Sequence, residues 1–194
     1  MRWRRLGQDQ RGTTTVEFAV IAPLFFVLFL SIIEFSLALY WWKSTEKAAQ
    51  FGARYGIVRD VAAAGVPTSN ARTAGGVFGI SCRDPSSPCV GFADQVCDGG
   101  AGCDLAAFEA ITLRMQRIFP VIGPENVRII YRYAGLGYAG GPAIPAVTVS
   151  LHDVPFQLGV LGLIAGLIGD GRTLLTLPTI SATLTGEDLS SAGV

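Results

Sequence analysis

Residues 12–42 of the chain read GTTTVEFAVIAPLFFVLFLSIIEFSLALYWW, and the rest of the chain is organised around this stretch. Its charged residues are Glu17 and Glu34 alone. A helix rises about 1.5 Å per residue, so roughly 20 apolar residues cross the core of a bilayer. Residues 18–42 supply 25 residues, which is long enough to span with some tilt. We therefore predict a transmembrane helix over residues 13–42.

The charges that flank this stretch predict its orientation. Asp9 is the only acid before it, against four arginines: Arg2, Arg4, Arg5 and Arg11. Positive charge stays on the cytoplasmic side of a membrane, so we expect the N-terminus inside and residues 43–194 outside. Three amphipathic rings then reach the outer interface, where such rings prefer to lie: Tyr40, Trp41 and Trp42. The chain is thus predicted to cross the lipid bilayer once.

The composition limits the classes of function. The chain has 194 residues, and about 150 of them follow the apolar stretch, enough for one domain with its own core. Its 15 basic and 15 acidic residues give zero net charge. A nucleic-acid-binding protein usually carries a basic surface, so we expect no nucleic acid partner. With 24 glycines and 10 prolines, the composition favours a membrane-anchored, loop-rich protein over a compact enzyme.

The N-terminal region differs from a secretory signal peptide. Such a signal has a short apolar region of about 7–15 residues, followed by a cleavage site of small residues. Here the apolar run is longer, and bulky residues 40–43 follow it. Topology alone therefore predicts an uncleaved signal anchor. A further detail is that the basic leader ends in Gly12, and that Glu17 is the fifth residue after this glycine.

These residues resemble the leader and start of type IV pilins, and more closely those of the TadE-like proteins of the tight-adherence (Flp, type IVc) pilus system. That family shows an Arg-Gly pair, small residues, Val-Glu-Phe-Ala, an aliphatic run with an early proline, and Ile-Glu-Phe. The chain has the corresponding residues: Arg11-Gly12, Thr13-Thr14-Thr15, Val16-Glu17-Phe18-Ala19, Pro23 and Ile33-Glu34-Phe35. The resemblance extends over about residues 11–60.

The resemblance implies a minor pilin or pseudopilin of the cytoplasmic (inner) membrane, and neither an enzyme nor a cofactor-binding protein. A prepilin peptidase would cut on the cytoplasmic side after Gly12, so that residues 1–12 are a leader and Thr13 is the mature N-terminus. Glu17 and Phe18 would act in assembly. The implied partners are other minor pilins or pseudopilins, the major pilin and the inner-membrane pilus platform. Incorporation of the processed protein into the pilus itself is an open alternative.

The two acids of the apolar stretch are expected to need partners. A carboxylate near the bilayer core is costly unless it is paired, and cleavage would create an α-amine that could neutralise Glu17 of a neighbouring subunit. Alternatively, Glu17 lies in the headgroup layer at the end of its helix. Glu34 is about 12 Å along the helix from Trp42. We predict that it contacts a partner; the alternatives are that it is protonated or extends toward the interface.

Residues 43–64, KSTEKAAQFGARYGIVRDVAAA, are predicted to extend the helix outside the membrane, to about Arg59. Polar pairs four residues apart mark one helical face. The sequence also contains a stripe of small residues: Ala48, Ala49, Gly52, Ala53 and Gly56. Such a stripe lets another helix approach closely, as in G-x-x-x-G pairs. An amphipathic helix that covers the domain would give the same pattern.

All four cysteines lie in a loop-like region over residues 82–103: Cys82, Cys89, Cys97 and Cys103. The predicted extracytoplasmic location permits disulfides, and four cysteines allow three full pairings. We favour disulfides over free thiols because few apolar residues hold this region. Local pairs, Cys82 with Cys89 and Cys97 with Cys103, are a first hypothesis. The spacings match no zinc signature.

The remaining pattern predicts an α+β domain over residues 65–194. Asp104 is a candidate N-cap for a helix over residues 105–119, with an apolar face at helical spacing: Leu105, Phe108, Ile111, Leu113, Met115, Ile118 and Phe119. Residues 126–134, 146–152 and 174–185 are candidate strands, the last interrupted by Pro178. The predicted fold is a long N-terminal transmembrane helix continuing into a small extracytoplasmic domain, in which a helix packs on a three- or four-stranded antiparallel sheet.

Residues 154–171, and especially the apolar segment 156–169, are harder to assign. The apolar run is about 14 residues long and contains four glycines, which is too short for a confident membrane span. We predict a hydrophobic loop or short helix that touches the membrane or a partner. A second span that returns the C-terminus to the inside is the alternative.

Two patterns suggest catalysis but lack the required context. Residues 135–140 match G-x-G-x-x-G, yet Pro142 and Pro145 follow where a dinucleotide site needs a helix, so we predict a hinge between strands. His152 is the single histidine, and no nucleophile motif or metal cluster accompanies it. Two other functions stay open: an unprocessed, signal-anchored extracytoplasmic binding or adhesion domain unrelated to pili, and a membrane-anchored enzyme that uses His152.

Overall fold

The computed structural model describes residues 12–86, 88–157 and 174–186, together with Gly159, Gly162, Gly166 and Leu189. The chain divides into two compact units, one of Met1–Tyr40 with Phe156–Leu175 and one of Trp41–Pro155 with Thr176–Val194. The helices are α1 (Thr13–Gly56) and α2 (Leu105–Gln116), and a 3-10 turn covers Pro124–Asn126. The strands are β1 (Gln95–Asp98), β2 (Val127–Leu136), β3 (Ile144–Leu151), β4 (Pro155–Gln157), β5 (Leu174–Thr176) and β6 (Ile180–Thr185).

The first part of α1 carries large apolar side chains that face outward. Phe18, Val20 and Leu24 are each about 70% exposed. Within the described residues, α1 is the one helix long and apolar enough to cross a membrane. Apolar side chains of this kind suit a lipid environment. A helix also satisfies its own backbone hydrogen bonds, as a membrane span requires. The helix continues through Pro23.

The second part of α1 belongs to the core of the domain. Ala48, Ala49 and Ala53 are fully buried in one cluster with residues of α2 and the sheet. A Cβ added to Gly52 would come within 2.6 Å of Met115 Sδ. The small residues therefore allow α1 to approach its own domain closely. This is the second of the two interpretations of the small-residue stripe.

The predicted helical extension to residue 64 is too long, because α1 ends at Gly56, three residues before Arg59. Glycine has low helix propensity. The residues that follow form tertiary hydrogen bonds instead: the Ala62 amide donates to Tyr131 Oη at 3.1 Å, and the Ala64 amide donates to the Gly102 carbonyl at 3.0 Å. These bonds draw the chain out of the helical path.

The main sheet has four antiparallel strands in the order β1-β2-β3-β6. Along β3, Val147, Val149 and Leu151 are buried, as their alternation predicts. The predicted strand over residues 174–185 is divided around Pro178 into β5 and β6, because proline cannot donate a ladder hydrogen bond. β5 pairs with β4 in a separate two-stranded sheet. The short strand β1 was not predicted.

Helix α2 begins as predicted, with the Asp104 carboxylate accepting a hydrogen bond from the Ala107 amide at 3.1 Å. The buried apolar residues Phe108, Ile111 and Met115 share the core cluster with β2 and β3. Two residues of the predicted apolar face, Leu105 and Leu113, do not join this core, since both are about 60% exposed. The helix ends at Gln116 rather than at 119. The predicted α+β fold, with a helix and a four-stranded antiparallel sheet after a long apolar helix, is confirmed.

The two glycines of the G-x-x-x-G pair should respond differently to the same substitution. Gly52→Ala places a methyl group against Met115 and Val149, whereas Gly56→Ala meets its nearest atom, Ile111 Cδ1, at an ordinary 3.5 Å. Gly52 lies inside α1 and Gly56 is its last residue, so the gain in helix propensity is larger for Gly52→Ala and opposes the expected loss from packing. We expect Gly52→Ala to be less stable than Gly56→Ala by about 1–3 kcal/mol, measured by denaturant unfolding of the domain. Equal stabilities would contradict the close contact at Gly52.

Candidate functional site

The predicted processing position lies at the start of α1. Gly12 is exposed, and a Cβ built on it would meet none of the described residues within 4 Å. The helix begins at the next residue, Thr13. Residues 1–11 of the predicted leader lie outside the described residues.

Glu17 and Phe18 lie near the beginning of α1, on an exposed part of the helix. Phe18 is 71% exposed, and the nearby Val16 and Ile21 are more than 60% exposed. The Glu17 carboxylate is exposed, and none of the described residues forms an ion pair with it. Glu17 is four positions after Thr13, which is about one turn along the helix. A carboxylate in this position is open to a cation from outside the helix.

Glu34 differs from its exposed neighbours because it is buried, with 7% of its surface exposed. Its Oε1 atom lies 3.0 Å from the position that a Cβ on Gly159 would take. Both residues belong to the first compact unit. Glu34 thus lies beside a segment of the same chain, and its contact with a separate partner stays a prediction. Sequence reasoning missed this pair because no local pattern connects residues so far apart, and most of the apolar segment 156–169 lies outside the described residues.

The cysteines form the two local disulfides of the first hypothesis, Cys82–Cys89 and Cys97–Cys103, with Cα–Cα distances of 5.2 and 4.9 Å. Cys97 is fully buried in the main core, so the second bridge fastens the loop after β1 to the sheet. Cys82 and Cys89 form a smaller cluster with Ala139. Each disulfide therefore includes cysteines that pack in a buried cluster.

The glycine-rich segment 135–140 forms the turn between β2 and β3. Gly135, Gly137 and Gly140 have φ of 63°, 84° and 78°, a region in which glycine carries no steric penalty. The buried side-chain amide of Asn70 donates to three carbonyls of this turn: Leu136, Tyr138 and Pro142. The G-x-G-x-x-G pattern is thus a structural connection between strands, as predicted. The role of Asn70 was not predicted.

His152 follows β3 and faces a charged pair on the sheet. Its Nε2 atom is 3.8 Å from Asp98 Oδ1, while Arg128 Nε donates to Asp98 Oδ2 at 2.9 Å. The hydrogen bond to Asp98 raises the pKa of the Arg128 guanidinium. In the described part of the chain, no three His, Cys, Asp or Glu side chains are grouped to hold a metal ion.

The Glu34–Gly159 contact can be tested by a double-mutant cycle. Gly159→Ala should lower the melting midpoint of the full chain in nanodiscs, because the methyl group would crowd the Glu34 carboxylate and force it to shift. In a Glu34→Ala background the same change should cost much less. Gly166→Ala is the control, since an added Cβ there meets none of the described residues within 4 Å. Equal effects in both backgrounds would contradict the contact.

Comparison with known proteins agrees with the features of α1. A family model described as TadE-like protein matches residues 12–54. No curated protein and no solved structure matches the chain. The matched segment starts at Gly12 and contains Glu17 and Glu34. Over residues 12–54 the chain is therefore similar to the TadE-like proteins, as its motifs predicted, and this similarity indicates a protein associated with the tight-adherence (Tad) pilus.

Proposed function

We propose that this protein is a minor pilin or pseudopilin of a tight-adherence pilus system and that it acts by assembly rather than catalysis. The observation that carries the proposal is the TadE-like match, which begins at Gly12 and covers most of α1. The exposed apolar side chains of residues 16–40 add support. Such a surface can exchange lipid contacts for contacts with neighbouring helices.

The first step in this proposal is removal of the leader. A prepilin peptidase would cut between Gly12 and Thr13 on the cytoplasmic side and leave the apolar helix in the membrane. The arginines before Gly12 support an N-terminus inside the cell, and hence an extracytoplasmic domain.

The second step is docking through Glu17. Cleavage gives Thr13 a charged α-amine, and the exposed Glu17 carboxylate of a neighbouring subunit could pair with it. The pair would be strong because water is scarce near the bilayer core, where an unpaired charge is costly. Phe18 and the other exposed apolar residues would then pack between subunits. The proposed partners are minor pilins, the major pilin and the inner-membrane platform.

Processing can be tested by measuring the mass and N-terminal sequence of the mature chain. In cells with an active prepilin peptidase, we expect the chain to start at Thr13. Gly12→Leu should block cleavage, and Gly7→Leu, a matched change within the leader, should leave it intact. A wild-type chain that starts at Met1 in such cells would favour the unprocessed, signal-anchored binding domain instead.

The role of Glu17 can be tested separately from processing. Glu17→Ala should leave cleavage unchanged but reduce pilus assembly strongly, because the α-amine of the neighbour loses its counter-charge. Thr15→Ala, two residues away, is the control and should assemble normally. Pilus yield is measured by immunoblotting of sheared filaments. Wild-type pilus levels in the Glu17→Ala strain would remove the proposed role.

A further inference from the structure

A groove of about 410 Å³ lies between the end of α1 and the end of α2. Its wall on the α1 side consists of Phe51, Arg54 and Tyr55 of the helix and of Val58 in the turn that follows it. Arg114, Arg117 and Ile118 form the other wall. All of these residues belong to the second compact unit. We call this surface the arginine groove.

The charges of the arginine groove are uncompensated. Arg54, Arg114 and Arg117 take part in no ion pair with any described residue, whereas Arg128 and Arg132 pair with Asp98 and Asp94 on the sheet. Each helix end contributes only about half a negative charge through its macrodipole. The three positive charges of the guanidinium groups exceed the negative charge of the two helix ends. The groove therefore keeps a positive charge that an acidic partner would match.

The groove also exposes apolar surface between its cations. Phe51 is 52% exposed and Val58 is 43% exposed. The guanidinium groups of Arg59 and Arg114 each lie 5.1 Å from the centre of the Tyr55 ring. This stacking orders part of the surface before any partner arrives, which reduces the entropy lost on binding. A purely polar anion would leave Phe51 and Val58 uncovered.

We propose that the arginine groove docks an amphipathic helix of a partner protein, with an apolar stripe flanked by acidic residues. The stripe would cover Phe51 and Val58, and the acids would pair with Arg54, Arg114 and Arg117. A helix fits because Phe51, Arg54 and Tyr55 lie at i, i+3 and i+4 on one face of α1, the spacing through which helices pack along one another. The acidic flanks would add steering and specificity.

A membrane surface is a poorer occupant of the groove. Arg54 follows Trp42 by 12 residues in the same helix, or about 18 Å at the helical rise. The headgroup layer on each side of a bilayer is only about 5–8 Å thick. Because we predict Trp42 at the interface, Arg54 would lie beyond the lipid headgroups. This argument favours a protein partner over anionic lipid.

The test uses the full chain in single-copy nanodiscs of zwitterionic lipid and three labelled synthetic peptides. The first has leucines at i, i+3, i+4 and i+7 with flanking glutamates, the second has serines in place of the leucines, and the third has lysines in place of the glutamates. Fluorescence anisotropy measures binding. We expect only the first peptide to bind strongly, with weaker binding at high salt.

Variants then locate the binding surface. Arg114→Glu and Arg117→Glu should each weaken binding about tenfold or more, because charge reversal at an interface is costly. Phe51→Ser should weaken peptide binding as well. Because the Phe51 side chain is 52% exposed, the substitution should not unfold the domain. Arg83→Glu, an exposed arginine outside the groove, is the matched control and should bind as the wild type does.

Several outcomes would overturn the proposal. Equal binding of the leucine and serine peptides would indicate unspecific charge attraction, as would an equal loss with Arg83→Glu. Recruitment to phosphatidylglycerol vesicles without peptide binding would assign the groove to lipid. Association between nanodiscs that Arg114→Glu abolishes would assign it to a second copy. Glu17→Ala should leave peptide binding unchanged, so this test is independent of the proposed pilus function.

Discussion

The contact on which the structure depends is the close approach of α1 to its own domain at Gly52. Any side chain at this position would collide with Met115 in the core. Four residues earlier, Ala48 is fully buried, and toward the N-terminus the edge of the Trp41 ring meets Phe119 at 5.1 Å between centroids. Large apolar residues are exposed before this region and small residues are buried within it. The N-terminal part of α1 thus has large, exposed apolar side chains, whereas its C-terminal part has small side chains that pack in the domain core.

The domain beyond α1 contains a long connection between α1 and α2, in which Ala62 and Ala63 join the main core. Between α1 and α2 the chain relies on specific polar contacts and disulfides. The buried Tyr131 hydroxyl accepts the Ala62 amide, and burial raises the pKa of Tyr131 above its usual value. The amide of Asn70 gathers the turn between β2 and β3. Arg132 binds Asp94 at the surface and lowers the pKa of that carboxyl group. Removing a buried partner such as Asn70 would leave carbonyls without a donor, which is expensive in a protein interior.

The sequence predicted features that depend on local pattern. The apolar run of α1, the Asp104 cap and the alternating face of β3 each follow from spacing or side-chain chemistry over a few residues. The end of α1 at Gly56 and the exposure of Leu113 could not be predicted this way, because tertiary hydrogen bonds and the orientation of α2 decide them. The Glu34–Gly159 contact joins distant parts of the chain. The arginine groove does so as well. The sequence therefore predicts only part of the functional surface. Gly12 and Glu17 belong to a recognisable motif, whereas the residues of the arginine groove do not.

The central claim is that residues 48–56 of α1 form part of the domain core, while the exposed apolar part of the same helix is available to lipid and to assembly partners. Hydrogen–deuterium exchange of the full chain in nanodiscs tests this most directly. If the claim holds, amides of residues 48–56 exchange at the same rate as those of β3, through shared unfolding of the domain. Fast exchange at 48–56 while β3 stays protected would show that the domain folds without this helix and would contradict the account.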